Sequence, residues 1–168
     1  QLGPLVSAEQ LRRVRSYVDA GLEGGARLLM GGDTPAIAGC ERGYFINPTV
    51  FVDVDQQMRI AREEVFGPVL SVITFKTEEE AIQIANDVAY GLAATVWTND
   101  LQRALCLSEQ LEAGIIWTNC PHHVQWNVPY EGHKLSGLGE DLGLESMSTF
   151  TKLKVNYIDF SGKRNAWA

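Results

Sequence analysis

The sequence predicts an α/β fold, a parallel βαβαβ sheet with flanking helices, and three observations carry that expectation. Three short apolar runs, Val69-Phe75, Leu92-Thr98 and Ile115-Asn119, have the length and composition of strands. Two segments of helical period lie between them, each opened by a capping residue. The connections are short, so parallel pairing through right-handed crossovers follows.

Taken in order, Ser7-Ala8-Glu9-Gln10 has capping-box form and leads into Leu11, Val14, Val18 and Leu22 at helical spacing, with Gly24-Gly25 as the stop. Ala26-Met30 is a short apolar run closed by Gly31-Gly32, and Asp33 to Gly43 reads as a surface loop. Tyr44-Val54 is strand-like, although Pro48 makes it an edge strand or two pieces. In Glu63-Glu64-Val65-Phe66-Gly67-Pro68, Glu64 and Phe66 lie two residues apart, on one side of an extended backbone. A hydrogen-bond acceptor beside a flat apolar ring suits a sugar diol joined to an aromatic base, as in a nucleotide or dinucleotide.

Beyond Val69-Phe75, Thr77-Glu78-Glu79-Glu80 is a second capping box. Its helix runs to about Val88, with Ala81, Ile82, Ala85 and Val88 inward. After Leu92-Thr98, Asn99 or Asp100 caps a helix carrying Leu101, Ala104, Leu105, Ser108 and Leu111 and ending near Gly114. Cys106, in its middle, reads as a core residue. Ile115-Asn119 follows, then a loop from Pro121 to Gly143 with glycines at 132, 137, 139 and 143. Ligand loops gather at the carboxyl ends of strands in such sheets, and this loop leaves one. Leu144-Thr151 reads as a short helix. Leu153-Phe160 alternates like a strand and is expected to pair outside the main sheet, with another subunit.

With 168 residues and 45% hydrophobic content, the chain can bury one substantial core and reads as one globular unit. A net charge of −7 argues against a nucleic-acid surface, which needs clustered Lys and Arg. No apolar run reaches membrane-spanning length. Three cysteines, at 40, 106 and 120, have no metal-type spacing, and their odd count points to a reducing compartment, hence a cytoplasmic setting. An upstream targeting signal stays open. The chain opens on Gln1 as if in the middle of a domain, so a fragment is expected.

Several constellations invite sharper readings. Cys120 with His122 and His123 has the look of a nucleophile with its base, but such pairs are normally assembled from distant segments. The same residues with His133 sketch a zinc site without the spacing of one, so a polar loop surface is the better reading. Gly137-x-Gly139-x-x-x-Gly143 is one residue too long for a dinucleotide fingerprint, and no strand runs into it. Trp117, Trp126 and Tyr130 offer an aromatic box for a quaternary ammonium or amine. Trp117, on an inner strand, is more simply core.

A series of motifs then occurs in order: Leu2-Gly3-Pro4-Leu5, Gly43-Tyr44-Phe45-Ile46-Asn47-Pro48-Thr49, Glu63-Glu64-Val65-Phe66-Gly67-Pro68, Ala85-Asn86, Tyr90-Gly91-Leu92, Ala113-Gly114, Asn119, Lys134 and Ser136-Gly137-Leu138-Gly139. From Leu2 to about Tyr157 it resembles the C-terminal third of an NAD(P)-dependent aldehyde dehydrogenase. Asn119-Cys120 and the loop to Pro129 are most similar to the betaine-aldehyde or aminoaldehyde branch. The resemblance implies that residues 1–143 are the C-terminal part of the catalytic domain. Residues 144–168 would then carry a helix and an oligomerisation strand, so a homo-oligomer through Leu153-Phe160 is expected.

In such enzymes a cysteine thiolate attacks the aldehyde to give a thiohemiacetal, hydride passes to NAD or NADP, and a glutamate base directs hydrolysis of the thioester. The resemblance assigns Glu64 to the nicotinamide-ribose hydroxyls, Phe66 to that end of the cofactor and Leu92 to the nicotinamide, with Glu63 turned away as a structural residue. It puts Cys120 and Tyr130 at the pocket for a small aldehyde, and the backbone carbonyls of Lys134 and Gly137 at a monovalent cation between subunits. Nucleophile, base and cofactor domain all precede the matched region, so no catalytic residue is assigned here and the fragment alone is expected to be inactive.

Three residues depart from the pattern. Glu131 stands where a Gly is usual and a positive φ or close approach would exclude a side chain; Glu140 stands where an Arg is usual; Asp141 replaces a Glu. They motivate the alternative of a non-catalytic assembly or binding module. A free-standing nucleotide-binding domain is a third reading.

Overall fold

The computed structural model describes residues 2–163, and the chain forms two compact units rather than the one expected from its size. The first takes in the residues up to Ala89 with Glu109–Glu112; the second takes in Tyr90–Ser108 and the residues from Ala113 onward.

In the first unit, helix α1 (Ala8–Glu23) starts at Ser7, whose hydroxyl accepts from the Gln10 N–H at 3.1 Å. The cap satisfies one of the orphan donors of the first turn. Its apolar stripe buries Val14, Tyr17 and Val18 against Phe51, Val54, Ile60 and Val65. Strands β1 (Arg27–Met30) and β2 (Thr49–Val52) pair antiparallel. Helix α2 (Arg59–Arg62) rides the crossover to β3 (Val69–Ser71), which pairs parallel with β2. Helix α3 (Glu78–Asn86) is capped by Thr77, whose hydroxyl accepts from the Glu80 N–H. None of its residues is buried, and Ala85, expected inward, is exposed.

Two expectations change here. The Tyr44-Val54 run yields only β2, which is the middle strand of three and not an edge. Pro48 stands just before the first ladder residue, where its missing N–H disrupts nothing. Thr49 is then fully buried, accepting from the Gly32 N–H and donating to the Asn47 carbonyl. The second change concerns β3. It pairs with β2, so the expected continuous βαβαβ sheet is replaced by small mixed sheets.

The second unit contains β4 (Tyr90–Gly91), β5 (Ala93–Val96), most of α4 (Leu101–Gln110) and β6 (Ile115–Thr118). β5 and β6 pair parallel from Ala93↔Ile115 to Val96↔Thr118, the one expected βαβ step that forms. Asp100 caps α4 by accepting from the Arg103 N–H at 3.1 Å. Asn119 prolongs the pair: its amide accepts from the Thr98 N–H at 2.9 Å and donates to the Thr98 carbonyl at 2.7 Å.

Pro121 to Gly143 is not loop throughout. It contains β7 (Tyr130–Glu131), β8 (His133–Lys134) and β9 (Glu140–Asp141), with β8 paired to β4 and β7 to β9. α4 buries only Ala104, so Cys106 is exposed and not a core residue. Helix α5 (Met147–Phe150) is a single turn. Leu153-Phe160 forms no strand among the described residues, and its side chains are exposed. No described helix is long and apolar enough to cross a membrane.

Candidate functional site

The Glu63-Pro68 segment leaves α2 with Glu63 extended, at φ −113° and ψ 148°. Glu64 and Phe66 are exposed on either side of buried Val65, the alternation that the sequence spacing implies. The extended geometry stops one residue early, because Phe66 has φ +56°. Few bulky residues adopt that region without support.

Support comes from α1. The Gln10 side-chain amide donates to the Phe66 carbonyl at 2.7 Å, and Arg13 donates to the Glu64 carbonyl at 3.1 Å. Gln10 therefore does not close the capping box its position suggests. Glu63 turns to the helix, where its carboxylate accepts from the Tyr17 hydroxyl at 2.8 Å and from Arg59 at 3.0 Å. The Arg59 guanidinium also stands 4.2 Å from the Tyr17 ring centroid. These bonds, the Tyr17 hydroxyl first and Arg59 next, hold the Glu63 carboxyl below its usual range. Glu63 in turn raises the Arg59 guanidinium. Among the described residues the Glu64 carboxylate has no hydrogen-bond or ion-pair partner, so its acceptor capacity is open to a ligand.

The remaining expected site residues lie in the second unit. The Leu92 side chain is exposed, while its carbonyl accepts from the Ile115 N–H at 3.2 Å. Cys120 is exposed at the start of the loop. His122 tilts against the Trp117 ring, and His123 meets Gln125; neither histidine hydrogen-bonds Cys120. A depression of about 320 Å³ is lined by Trp117, Val124, Val128 and Tyr130 among others, but not by Cys120 or Trp126. The aromatic box thus reduces to two rings. Trp117 is buried and donates its indole N–H to the His123 carbonyl at 2.9 Å.

Lys134 and Gly137 both have positive φ, at +54° and +135°. Lys134 lies within, and Gly137 just after, a turn in which the Ser136 N–H donates to the His133 carbonyl, and the Ser136 hydroxyl accepts from the Gly91 N–H at 2.9 Å. Among the described residues no three His, Cys, Asp or Glu side chains gather to hold a metal ion. Glu131 does not have positive φ; it faces Glu140 across the β7–β9 ladder.

The residues that sequence reasoning missed are Gln10, Arg13 and Tyr17. Gln10 and Arg13 stand at helical spacing on the polar edge of the apolar stripe and Tyr17 within the stripe, but nothing local says what such an edge will meet.

Comparison with known proteins extends this picture. The aldehyde dehydrogenase family model matches residues 1–156. The betaine aldehyde dehydrogenase of Brucella melitensis is 44% identical over 159 residues, covering 95% of this chain and 33% of that protein. The indole-3-acetaldehyde dehydrogenase of P. syringae, solved in complex with NAD+ and IAA, is 47% identical with a TM-score of 0.87, covering 91% of this chain and 30% of that one. An NAD+ complex of aldehyde dehydrogenase from Bacillus cereus is 38% identical with a TM-score of 0.90, covering 95% and 32%. The chain spans about a third of the length of these relatives. By the extent of that match, the chain belongs to the aldehyde dehydrogenase family.

Proposed function

We propose that this chain is the C-terminal third of an NAD(P)-dependent aldehyde dehydrogenase, an oxidoreductase that converts an aldehyde to a carboxylic acid. The observation that carries the reading is the Glu63-Pro68 segment. Among the described residues Glu64 keeps an unpartnered, exposed carboxylate, and Phe66 exposes 73% of its surface on the same short stretch. An acceptor and a bare aromatic face fit a ribose diol and the ring it bears. When bound, the nicotinamide accepts the hydride that leaves the aldehyde-derived carbon. Glu64 holds the ribose hydroxyls, Phe66 covers that end of the cofactor, and Leu92 borders the nicotinamide. Cys120 and Tyr130 line the substrate side, and the Lys134 and Gly137 carbonyls contribute to a monovalent cation site between subunits. The nucleophilic cysteine and general base belong to sequence outside this chain.

Residues 1–143 act in this reading as catalytic-domain sequence, and residues 144–168 as the oligomerisation segment. The exposed side chains of Leu153-Phe160 support a role in pairing with a second copy. A betaine aldehyde or aminoaldehyde is the substrate class we favour, on the Asn119-Cys120 pair and the Brucella relative. Expression of the full-length gene product with a panel including betaine aldehyde and indole-3-acetaldehyde, read by NADH or NADPH formation, tests the reading. Absence of turnover across the panel sinks it. The opposed Glu131 and Glu140 favour a second reading, a non-catalytic assembly module. A native protein whose intact mass matches a chain starting near Gln1 would support that one.

A further inference from the structure

We propose that residues 123–131 form an arch over β6 whose height is set by two glycines, Gly114 beneath one foot and Gly143 against the far side. That height then fixes the size of aldehyde the site accepts, an inference that rests on the reading above in which Tyr130 borders the substrate. The arch has two feet. At one, the Trp117 indole N–H donates to the His123 carbonyl at 2.9 Å. At the other, the Glu131 carbonyl lies so close to Gly114 that a Cβ there would stand 1.7 Å from its oxygen. Gly114 and Trp117 are three residues apart along β6, about 10 Å of extended chain. His123 and Glu131 are eight apart, enough to cover about 26 Å if extended. The surplus bows away from the strand. The depression of about 320 Å³ is the space between, with Ile115, Ile116 and Trp117 on the strand side and Val128, Pro129 and Tyr130 on the arch.

Gly143 meets the arch from its other side. It does not line the depression, yet its N–H donates to the Trp126 carbonyl at 3.0 Å. A Cβ on Gly143 would stand 2.9 Å from Pro129 N and 3.1 Å from Pro129 Cα. The Glu145 carboxylate, 2.7 Å from the same point, can swing aside, whereas the Pro129 backbone cannot. Tyr130 is thus held between two close approaches, Pro129 against Gly143 and Glu131 against Gly114. Alternation along β7 turns the Glu131 side chain away from Tyr130 and towards Glu140 on β9. A side chain at 131 is therefore compatible with the arch, and one at 114 is not. Gly114 and Gly143 are positioning residues for the Tyr130 wall.

The test uses the full-length protein with Gly114→Ala, Gly143→Ala, Gly143→Asn and Gly39→Ala. It measures kcat/KM for the smallest and the bulkiest neutral aldehydes that the parent oxidises, with propanal and indole-3-acetaldehyde as the first pair. The NAD dissociation constant and amide hydrogen exchange of residues 123–131 are measured alongside. A methyl at 114 forces the Glu131 foot off β6 and lifts the arch, so the bulky-to-small ratio of kcat/KM should rise about 10-fold. Exchange across the arch should quicken in the same variant. A methyl at 143 presses Pro129 towards β6, so the ratio should fall by a similar factor, about 10-fold. Asn accepts the left-handed φ of +63° better than Ala but carries the same Cβ, so Gly143→Asn should shift the ratio as Gly143→Ala does. NAD affinity should stay near that of the parent. Gly39→Ala, strained at φ +78° with nothing within 4 Å of its Cβ, is expected to leave both ratio and exchange unchanged.

Ratios that move in the same direction at 114 and 143 would mean general loosening and overturn the proposal. Equal losses toward both aldehydes and NAD overturn it too, as does unchanged exchange across the arch in Gly114→Ala. Recovery of the parent ratio in Gly143→Asn would reduce Gly143 to a matter of backbone strain, which also overturns it. If Gly114→Ala does not fold, the two Gly143 variants decide by the sign of their shift. A parent that oxidises no aldehyde fails the functional reading first, and the size role fails with it.

Discussion

Gly67→Ala is the substitution whose consequence follows most directly from the packing of α1 against the Glu63-Pro68 segment. The added methyl would lie 2.5 Å from Val14 Cγ2 and 3.1 Å from Cγ1. Carbon atoms prefer about 3.5–4.0 Å, so the shortfall is on the order of 1 Å. Val14 cannot step aside: it is fully buried, and a β-branched residue on a helix has one strongly preferred rotamer. The segment must shift instead, and overpacking of this kind costs about 1–3 kcal/mol. Val14→Ala alone removes two buried methyl groups, a loss of about 2 kcal/mol or more once the cavity is included. In the double variant the methyl added by Gly67→Ala enters the space that Val14 vacated. The combined loss should fall at least about 1 kcal/mol short of the sum of the singles. Urea unfolding of the full-length protein, followed by far-ultraviolet circular dichroism, measures all three variants. Additive losses, or a Gly67→Ala variant as stable as the parent, would refute the close approach.

Three further outcomes are expected. The Glu63 carboxyl is held below its ordinary 4.5 by the Tyr17 hydroxyl and Arg59, so its contribution to stability is complete above that value and is lost as pH falls through the depressed folded value. The stability gap between the parent and Glu63→Gln should therefore be constant near neutrality and close in acid; a gap that widens in acid would contradict the assignment. Glu140→Arg replaces like charges opposite Glu131 with an ion pair and should raise stability by about 0.2–1 kcal/mol, read as a higher unfolding midpoint. Deletion of residues 153–160 from the full-length protein should lower its sedimentation coefficient beyond the mass removed, and an unchanged oligomeric state would remove that segment from the interface.

Local chemistry was the legible part of this sequence. Ser7 and Thr77 each supply the one acceptor a helix start needs, so both caps stand where the residues imply. The β5–α4–β6 step was legible because two apolar runs flank a capped helix with short connections. Partner choice was less legible. Pro48 suggested an edge, yet it lies one residue outside the ladder, and β2 takes neighbours on both sides. That pairing uses β3, which the alternation of strands and helices had placed in a longer sheet. Burial was hard to read for Cys106, since a helix of mixed composition buried only Ala104. At the site, exposure of Glu64 and Phe66 around Val65 followed from spacing. The left-handed turn at Phe66 did not, and the Gln10 amide that meets its carbonyl is distant in sequence.

Glu64 is proposed as the acceptor for the nicotinamide ribose, and its replacement tests that proposal most directly. The measurement is the NAD affinity and aldehyde-oxidation kinetics of full-length Glu64→Gln against the parent. Losing a charge-assisted bond should weaken NAD binding about 10-fold or more, with aldehyde KM little changed. Parent-like NAD affinity and kcat in Glu64→Gln would contradict it.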